Sequence, residues 1–316
     1  MTALIYEIPE ILPLDILLGP LVDASAAVAF FDASVKNWAR GEVLAGRLLF
    51  AEALACQHAQ GDLVHMEDLV MLDGGVFNER PTGALSSAYY TLRTWRRAMK
   101  AEPRDILFSD RPGEIPVTGR ASKTEAGPVG EAPCDPERLQ QWQRIVRESR
   151  RFPPLLASAI VWDAWLTLLP DDSAGWRAAL LAALVLKARG ATTQFLLPID
   201  TGRRVAHYHW DPTDSFESRI KGFLQWTTAG LAHARKELDR LKTVSQGLEI
   251  RIEGHRKNAR LPKLVDLLFE APLVSIPVAC KRLKITKQAA QKLIPRLGSY
   301  VREVTGRQRN RAWTLT

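Results

Sequence analysis

The spacing of apolar positions along the chain predicts a mainly helical protein. Positions 24–38 are alanine-rich with a helical apolar stripe, and 41–59 follow with Leu44, Leu48, Ala51, Leu54 and Ala55 on one face. Gly61 and Asp62 interrupt the pattern, 67–72 resume it, and Asp73, Gly74 and Gly75 stop it again. The next helix, 83–100, ends on Arg93, Arg96, Arg97 and Lys100, cations suited to the negative end of a helix. Positions 101–137 hold six prolines and four glycines and predict a loop or linker. Apolar helices resume over 137–149 and from Pro153 and Pro154 to about 168, and a third, after the polar break at 169–173, stops at Gly190. Positions 178–186 are apolar all round, which predicts a buried central helix. Trp162, Trp165, Trp176 and Trp226 fall at helical spacing and are expected in the core. A short extended segment is expected over 194–199, then a long amphipathic stretch over 216–258.

In the last part of the chain the elements become short and their order informative. A helix over 262–270 turns Leu264, Leu267 and Leu268 inward; Ser275 can cap a second over 277–283, with Pro277 harmless near its first turn. Lys284 and Ile285 make a turn, and Thr286 caps a third helix. Ala290, Leu293, Ile294 and Leu297 recur there at i, i+3, i+4 and i+7 and face the core, so Lys287, Gln288, Gln291 and Lys292 face outward together. Pro295 ends or kinks this helix. Positions 301–305 and 312–315 then flank a basic tip as a hairpin. Helix, turn, helix and basic hairpin form the pattern of a winged helix-turn-helix.

Charge sharpens this reading. The net charge is +8, but residues 251–316 hold 15 Lys and Arg against 4 Asp and Glu, a net of +11, so the rest of the chain carries −3. A concentrated excess of cations is what binding to phosphates requires, because each neutralised phosphate releases counterions. Glutamine can pair bidentately with adenine, and lysine can reach guanine or phosphate. The candidate DNA-binding residues are therefore Thr286, Lys287, Gln288, Gln291, Lys292 and Arg296 on the helix, with Arg307, Gln308, Arg309, Asn310 and Arg311 on the wing. The competing reading is a charged face that binds an acidic protein partner.

The remaining chemistry is sparse. Cys56, Cys134 and Cys280 lack ligand-like spacing, which suits a reducing cytoplasm. The N-terminus lacks the basic region of a signal peptide, and the longest wholly apolar run, 178–186, has nine residues, so no membrane partner is expected. His207 and His209 beside Asp211 and Asp214 have the right residue types for metal ligands, but alternating histidines are usually unligated. Neither metal nor cofactor is expected.

The ending from Arg302 through Gly306, Arg307, Asn310 and Arg311 to Trp313 resembles the C-terminal winged helix of many bacterial Fic-domain proteins. Positions 184–198 resemble the segment after the Fic active-site loop, and 52–69 the inhibitory region. The resemblance implies a Fic-like helical bundle over 1–215, a bridging helix over 216–258 and a winged helix-turn-helix over 259–316. Fic enzymes carry His-Pro-Phe-x-Asp/Glu-Gly-Asn-Gly-Arg, with histidine as base and glycines cradling phosphates. Here Leu169 stands at the histidine position, Ala174 and Trp176 replace glycines around Gly175, and Pro170 and Arg177 alone match. The chain also resembles a bacterial family pairing a domain of unknown function with a C-terminal helix-turn-helix. The expected function is a non-catalytic regulator binding double-stranded DNA as a homodimer. Two alternatives stand beside it: residual nucleotidyl or phosphoryl transfer with Asp171, Asp172 or His207 as base, and an antitoxin-like interaction module.

Overall fold

The helical pattern is realised in a computed structural model that describes residues 6–113, 135–169, 176–206, 210–253, 259–304 and 311–316. The first half holds Leu14–Lys36 (α1), Gly41–Ala59 (α2), Met66–Asp73 (α3), Gly83–Lys100 (α4), Pro103–Leu107 (α5), Pro136–Glu148 (α6) and Pro154–Leu168 (α7). Trp176–Ala188 (α8), Ile199–Ala206 (α9) and Phe216–Ile252 (α10) complete a helical body. Arg260–Glu270 (α11), Val274–Ser275 (β1), Ile276–Leu283 (α12), Lys287–Leu293 (α13), Val301–Glu303 (β2) and Ala312–Leu315 (β3) form the C-terminal unit.

Helices α2 and α4 have the expected bounds, whereas three features differ from the sequence reading. α1 starts at Leu14 rather than 24 and contains Pro20. Its stripe of Leu17, Leu21, Ala24, Val28, Phe31 and Val35 is buried, so the packing of that face outweighs the proline. α1 is also long and apolar enough to cross a membrane by length and composition, with a mean hydropathy of 1.7 over its most apolar window. In the sequence Asp15, Asp23 and Asp32 interrupt this apolar run, so no long uncharged stretch marks it. Second, α5 and the start of α6 lie inside the stretch expected to be loop; residues 114–134 of that stretch are outside the described residues. Third, the extended segment ends one residue early, and α9 begins at Ile199.

The core is centred on α7 and α8, where Leu155 to Trp165 and Trp176 to Leu186 are buried without a break. Trp162, Trp165, Trp176 and Trp226 are all at most 1% exposed, as their spacing implied. Ser158 ties the two helices by donating to the carbonyl of Ala182 at 2.8 Å. Within this apolar centre Asp163 is fully buried but fully used. It accepts from the Tyr6 hydroxyl at 2.9 Å, the Trp210 indole at 2.9 Å, and the Arg219 guanidinium at 2.7 and 3.0 Å. A buried charge satisfied in this way fixes where α10 starts.

Helix α9 is held from a distance. Glu52 of α2 accepts from the backbone N–H of Asp200 at 2.7 Å and of Thr201 at 2.9 Å, and from the Thr201 hydroxyl at 2.8 Å. It thereby satisfies the free donors at the N-terminus of α9. The Cys56 thiol donates to Asp200 at 3.0 Å, and Arg203 closes the network on Asp200 at 2.9 Å. α9 and α10 cross at glycines: a Cβ on Gly230 would stand 2.5 Å from the carbonyl of Pro198.

At 37 residues, α10 is about 55 Å long. Its second half carries the C-terminal unit, and Arg47 is the joint. This guanidinium, 4% exposed, pairs with Glu237 of α10 at 2.8 Å and donates to the carbonyls of Leu268 and Ala271, at 2.9 and 2.6 Å, at the end of α11. Burial pulls Arg47 below its ordinary range while Glu237 acts against that pull. Arg240 shares Glu237 and donates to the carbonyl of Leu315.

Arg47→Met strands Leu268 and Ala271 carbonyls and should cost about 3–5 kcal/mol in urea unfolding. A cost below about 1 kcal/mol would show that the joint is not where α11 is held. Burial first, and Asp200 second, push the Glu52 carboxyl up from 4.5 to about 8, against the pull of its hydrogen bonds. Between these values the folded chain binds more protons than the unfolded chain, so Glu52 makes stability fall as pH rises. In Glu52→Gln the urea midpoints measured near about pH 5 and about pH 8 should differ less than in the wild type.

Candidate nucleic-acid interface

The C-terminal unit is built around an apolar centre. Leu264, Leu267 and Leu268 of α11 are buried as expected, together with Val278, Ala290, Leu293, Ile294 and Leu297. The Ser275 side chain caps α12, accepting from Val278 N, and Pro277 sits in its first turn. The three residues Lys284, Ile285 and Thr286 turn the chain into α13. Lys284 adopts a left-handed conformation, φ 53°, and it is the sole described non-glycine residue to do so. Thr286 then caps α13 by accepting from Ala289 N at 3.2 Å.

The turn and cap settle which way α13 faces. Ala290 and Leu293 pack inward, while Thr286, Lys287, Gln288, Gln291 and Lys292 are exposed on the opposite side. After Leu293 the chain tightens into a 3-10 segment, Ile294–Tyr300, with Pro295 in its first turn, and Arg296 is exposed there. The expected helix end at Pro295 thus takes the form of a tighter turn. Gly298, φ 62°, lets the chain reverse into β2.

The hairpin is present and gains a third strand. β3 pairs antiparallel with β2, Val301 opposite Leu315 and Glu303 opposite Trp313, and with β1, Val274 opposite Trp313. Arg302 and Arg311 are exposed, and Arg311 lies 3.5 Å from Glu303. Arg307, Gln308, Arg309 and Asn310 lie outside the described residues.

Similar cations on α12 are used differently. Lys281 donates to the carbonyl of Gly75 at 2.7 Å, and Arg282 pairs with Glu270 at 2.6 Å. A Cβ on Gly74 would stand 2.9 Å from Val278, so the glycines after α3 admit α12 close to the body. α12 is thus the helix that leans on the body and α13 the one presented to solvent. Charge counting alone cannot separate these roles.

Of the residues that stand where the Fic loop would lie, Leu169 and Arg177 fall among the described residues. Leu169 is buried at the end of α7 and Arg177 is buried in α8, 3% exposed, with its guanidinium 5.5 Å from the Trp176 ring. Pro170, Asp171, Asp172, Gly175, His207 and His209 lie outside the described residues. Glu52, Cys56 and Asp200 place ligand atoms within 4.8 Å of one another, as a metal site would. Their oxygens already serve the N-terminus of α9 and Arg203, and burial pushes the Cys56 thiol well above its usual range, which keeps it a hydrogen-bond donor.

Residues 261–316 match a family described as an HTH DNA binding domain, and residues 134–253 match one described as a protein of unknown function (DUF1612). The chain thus joins a DUF1612 domain to a C-terminal helix-turn-helix DNA-binding domain. It is 26% identical to a Sinorhizobium fredii (strain NBRC 101917 / NGR234) protein named "Uncharacterized protein y4cF", over 94% of this chain and 96% of that one. It is also similar to the crystal structure of a Fic family protein from Desulfovibrio desulfuricans G20, with 14% identity, a TM-score of 0.49 and 98% of each chain covered.

The cap on α13 generates a local prediction. Thr286→Ala should destabilise the protein by about 1 kcal/mol, whereas Thr286→Ser should be near neutral. Equal melting temperatures for all three proteins would mean that the hydroxyl has no capping role.

Proposed function

We propose that this chain is a non-catalytic transcriptional regulator that binds double-stranded DNA as a homodimer, with α13 in the major groove and the wing beside it. The observation that carries the reading is the outward face of α13. Lys287, Gln288, Gln291 and Lys292 stand exposed on a helix presented by a three-residue turn, in a chain end of net charge +11. The major groove admits a single helix, and these residue types match its base edges. Arg296 beside the helix, and Arg307, Gln308, Arg309, Asn310 and Arg311 of the wing, would take phosphates or the minor groove. Two copies reading matched half-sites would provide specificity that one short helix lacks. Working on DNA, the protein would act in the cytoplasm.

The division of labour follows. Residues 259–316 read DNA, 216–258 bridge, and a Fic-like body over 1–215 supports oligomerisation or sensing. Leu169 where the resembling enzymes have their base, and the burial of Arg177, favour a non-catalytic body.

Selection on random duplexes followed by affinity and salt titrations tests this. Lys287→Ala with Gln291→Ala should lose discrimination between the selected site and random DNA, at about 1–3 kcal/mol per lost base contact. Arg307→Ala with Arg309→Ala should weaken binding to all DNA and lower the slope of log K against log salt by about 1 per arginine. Salt-insensitive binding, equal in the wild type and both variants, would overturn the proposal.

A further inference from the structure

The helical body and the DNA-reading unit do not close completely over each other. Between α2 and α4 on one side and α11 and α12 on the other lies a cavity of about 630 Å³. That is within the roughly 300–1,000 Å³ of small-molecule sites. One wall is apolar, formed by Val43, Phe50, Val70, Met99, Leu267 and Val278.

The charged lining residues are equally divided in sign. Arg96 holds Asp73 at 2.5 and 3.1 Å while lying over the Phe50 ring, and Arg282 holds Glu270. These four charges cancel in pairs. Glu42 from the first turn of α2 and Lys100 from the last turn of α4 remain, both exposed and without an ion pair among the described residues. The cavity therefore offers an apolar wall, one carboxylate and one ammonium. A ligand bearing one charge would answer one of these groups and leave the other unanswered.

We propose that this cavity binds a small zwitterion with an apolar body, of the chemistry of an apolar amino acid, and that its occupancy sets how well α13 engages DNA. The ligand ammonium is met by Glu42, its carboxylate by Lys100, and its apolar body by the Phe50 and Leu267 wall. Because the walls come from both units, the ligand's binding free energy depends on how α11 and α12 sit on the body. Any arrangement that binds it better is favoured when it is present. The regulatory half of the inference rests on the DNA-binding reading above; the ligand site does not.

Gly46 supplies a direct test. It lines the cavity from α2, and a Cβ built there meets no atom within 4 Å, so Gly46→Phe fills the space without backbone strain. Purified full-length wild type, Gly46→Phe and Lys100→Met would be titrated with L-phenylalanine, phenethylamine and phenylacetate by calorimetry. DNA affinity would be measured with and without each compound. L-phenylalanine should bind the wild type with one site per chain and more tightly than either singly charged analogue. Gly46→Phe should abolish that binding, and Lys100→Met should weaken it at least about fivefold. Bound L-phenylalanine should change DNA affinity at least about fivefold in the wild type and not in Gly46→Phe. If Gly46→Phe melts well below the wild type, Lys100→Met, a surface change, decides. Failure of L-phenylalanine to bind, binding retained in Gly46→Phe, or equal affinity for the singly charged analogues overturns the site. Ligand binding without any change in DNA affinity overturns the regulatory half alone, and absence of DNA binding in all samples strikes the proposed function instead.

Discussion

The placement of the DNA-reading unit depends on one buried cation. Arg47 sits on α2, pairs with Glu237 on α10, and donates to the last carbonyls of α11. A guanidinium can do this because its planar fork carries several donors at fixed angles, so one side chain can answer a carboxylate and two carbonyls together. Burial pushes the Glu237 carboxyl up, but Arg240 and Arg47 outweigh it and hold that group below its usual range, so the pair stays ionised. Once the end of α11 is fixed, the short links to α12 and α13 leave little freedom. The exposed face of α13 is thereby oriented by a residue some 240 positions earlier in the chain.

What was legible in the sequence divides by the range of the interaction responsible. α2 and α4 were readable to the residue because glycines and an alternation of apolar faces mark them locally. The outward face of α13 was readable for the same reason: Ala290 and Leu293 define an inside, and the rest follows from the helical repeat. β1 was not readable, since two residues become a strand only when Val274 meets Trp313. α9 was missed because the group that starts it, Glu52, lies 148 positions before Asp200. Asp163 gave no signal either. A single carboxylate in an apolar helix looks like an interruption until Tyr6, Trp210 and Arg219 converge on it.

The cations at the end of α4 show a subtler limit. Their position suits the negative end of the helix dipole. In the structure Lys187 of α8 reaches the carbonyls at that end, of Ala98, Met99 and Ala101, while Arg96 turns to Asp73 and Phe50. Arg97 and Lys100 do stand in the last turn of α4, and the side-chain hydrogen bonds to its carbonyls come in addition from Lys187. Local rules state what a helix end needs, and packing decides who supplies it.

The same division changes the meaning of the +11 charge. Lys281 and Arg282 are engaged by the body and by Glu270, Arg251 donates to the carbonyl of Arg296 at 3.1 Å, and Arg311 stands beside Glu303. Lys284, Lys287, Lys292, Arg296 and Arg302 are exposed on and around α13 without an ion pair among the described residues. Cations that already satisfy protein groups release fewer counterions on meeting phosphate than cations standing free. The positive charge available to phosphate in this unit is therefore smaller than the composition implies. Among the described residues, α12 spends its cations on holding the unit in place, whereas those on and around α13 stand free.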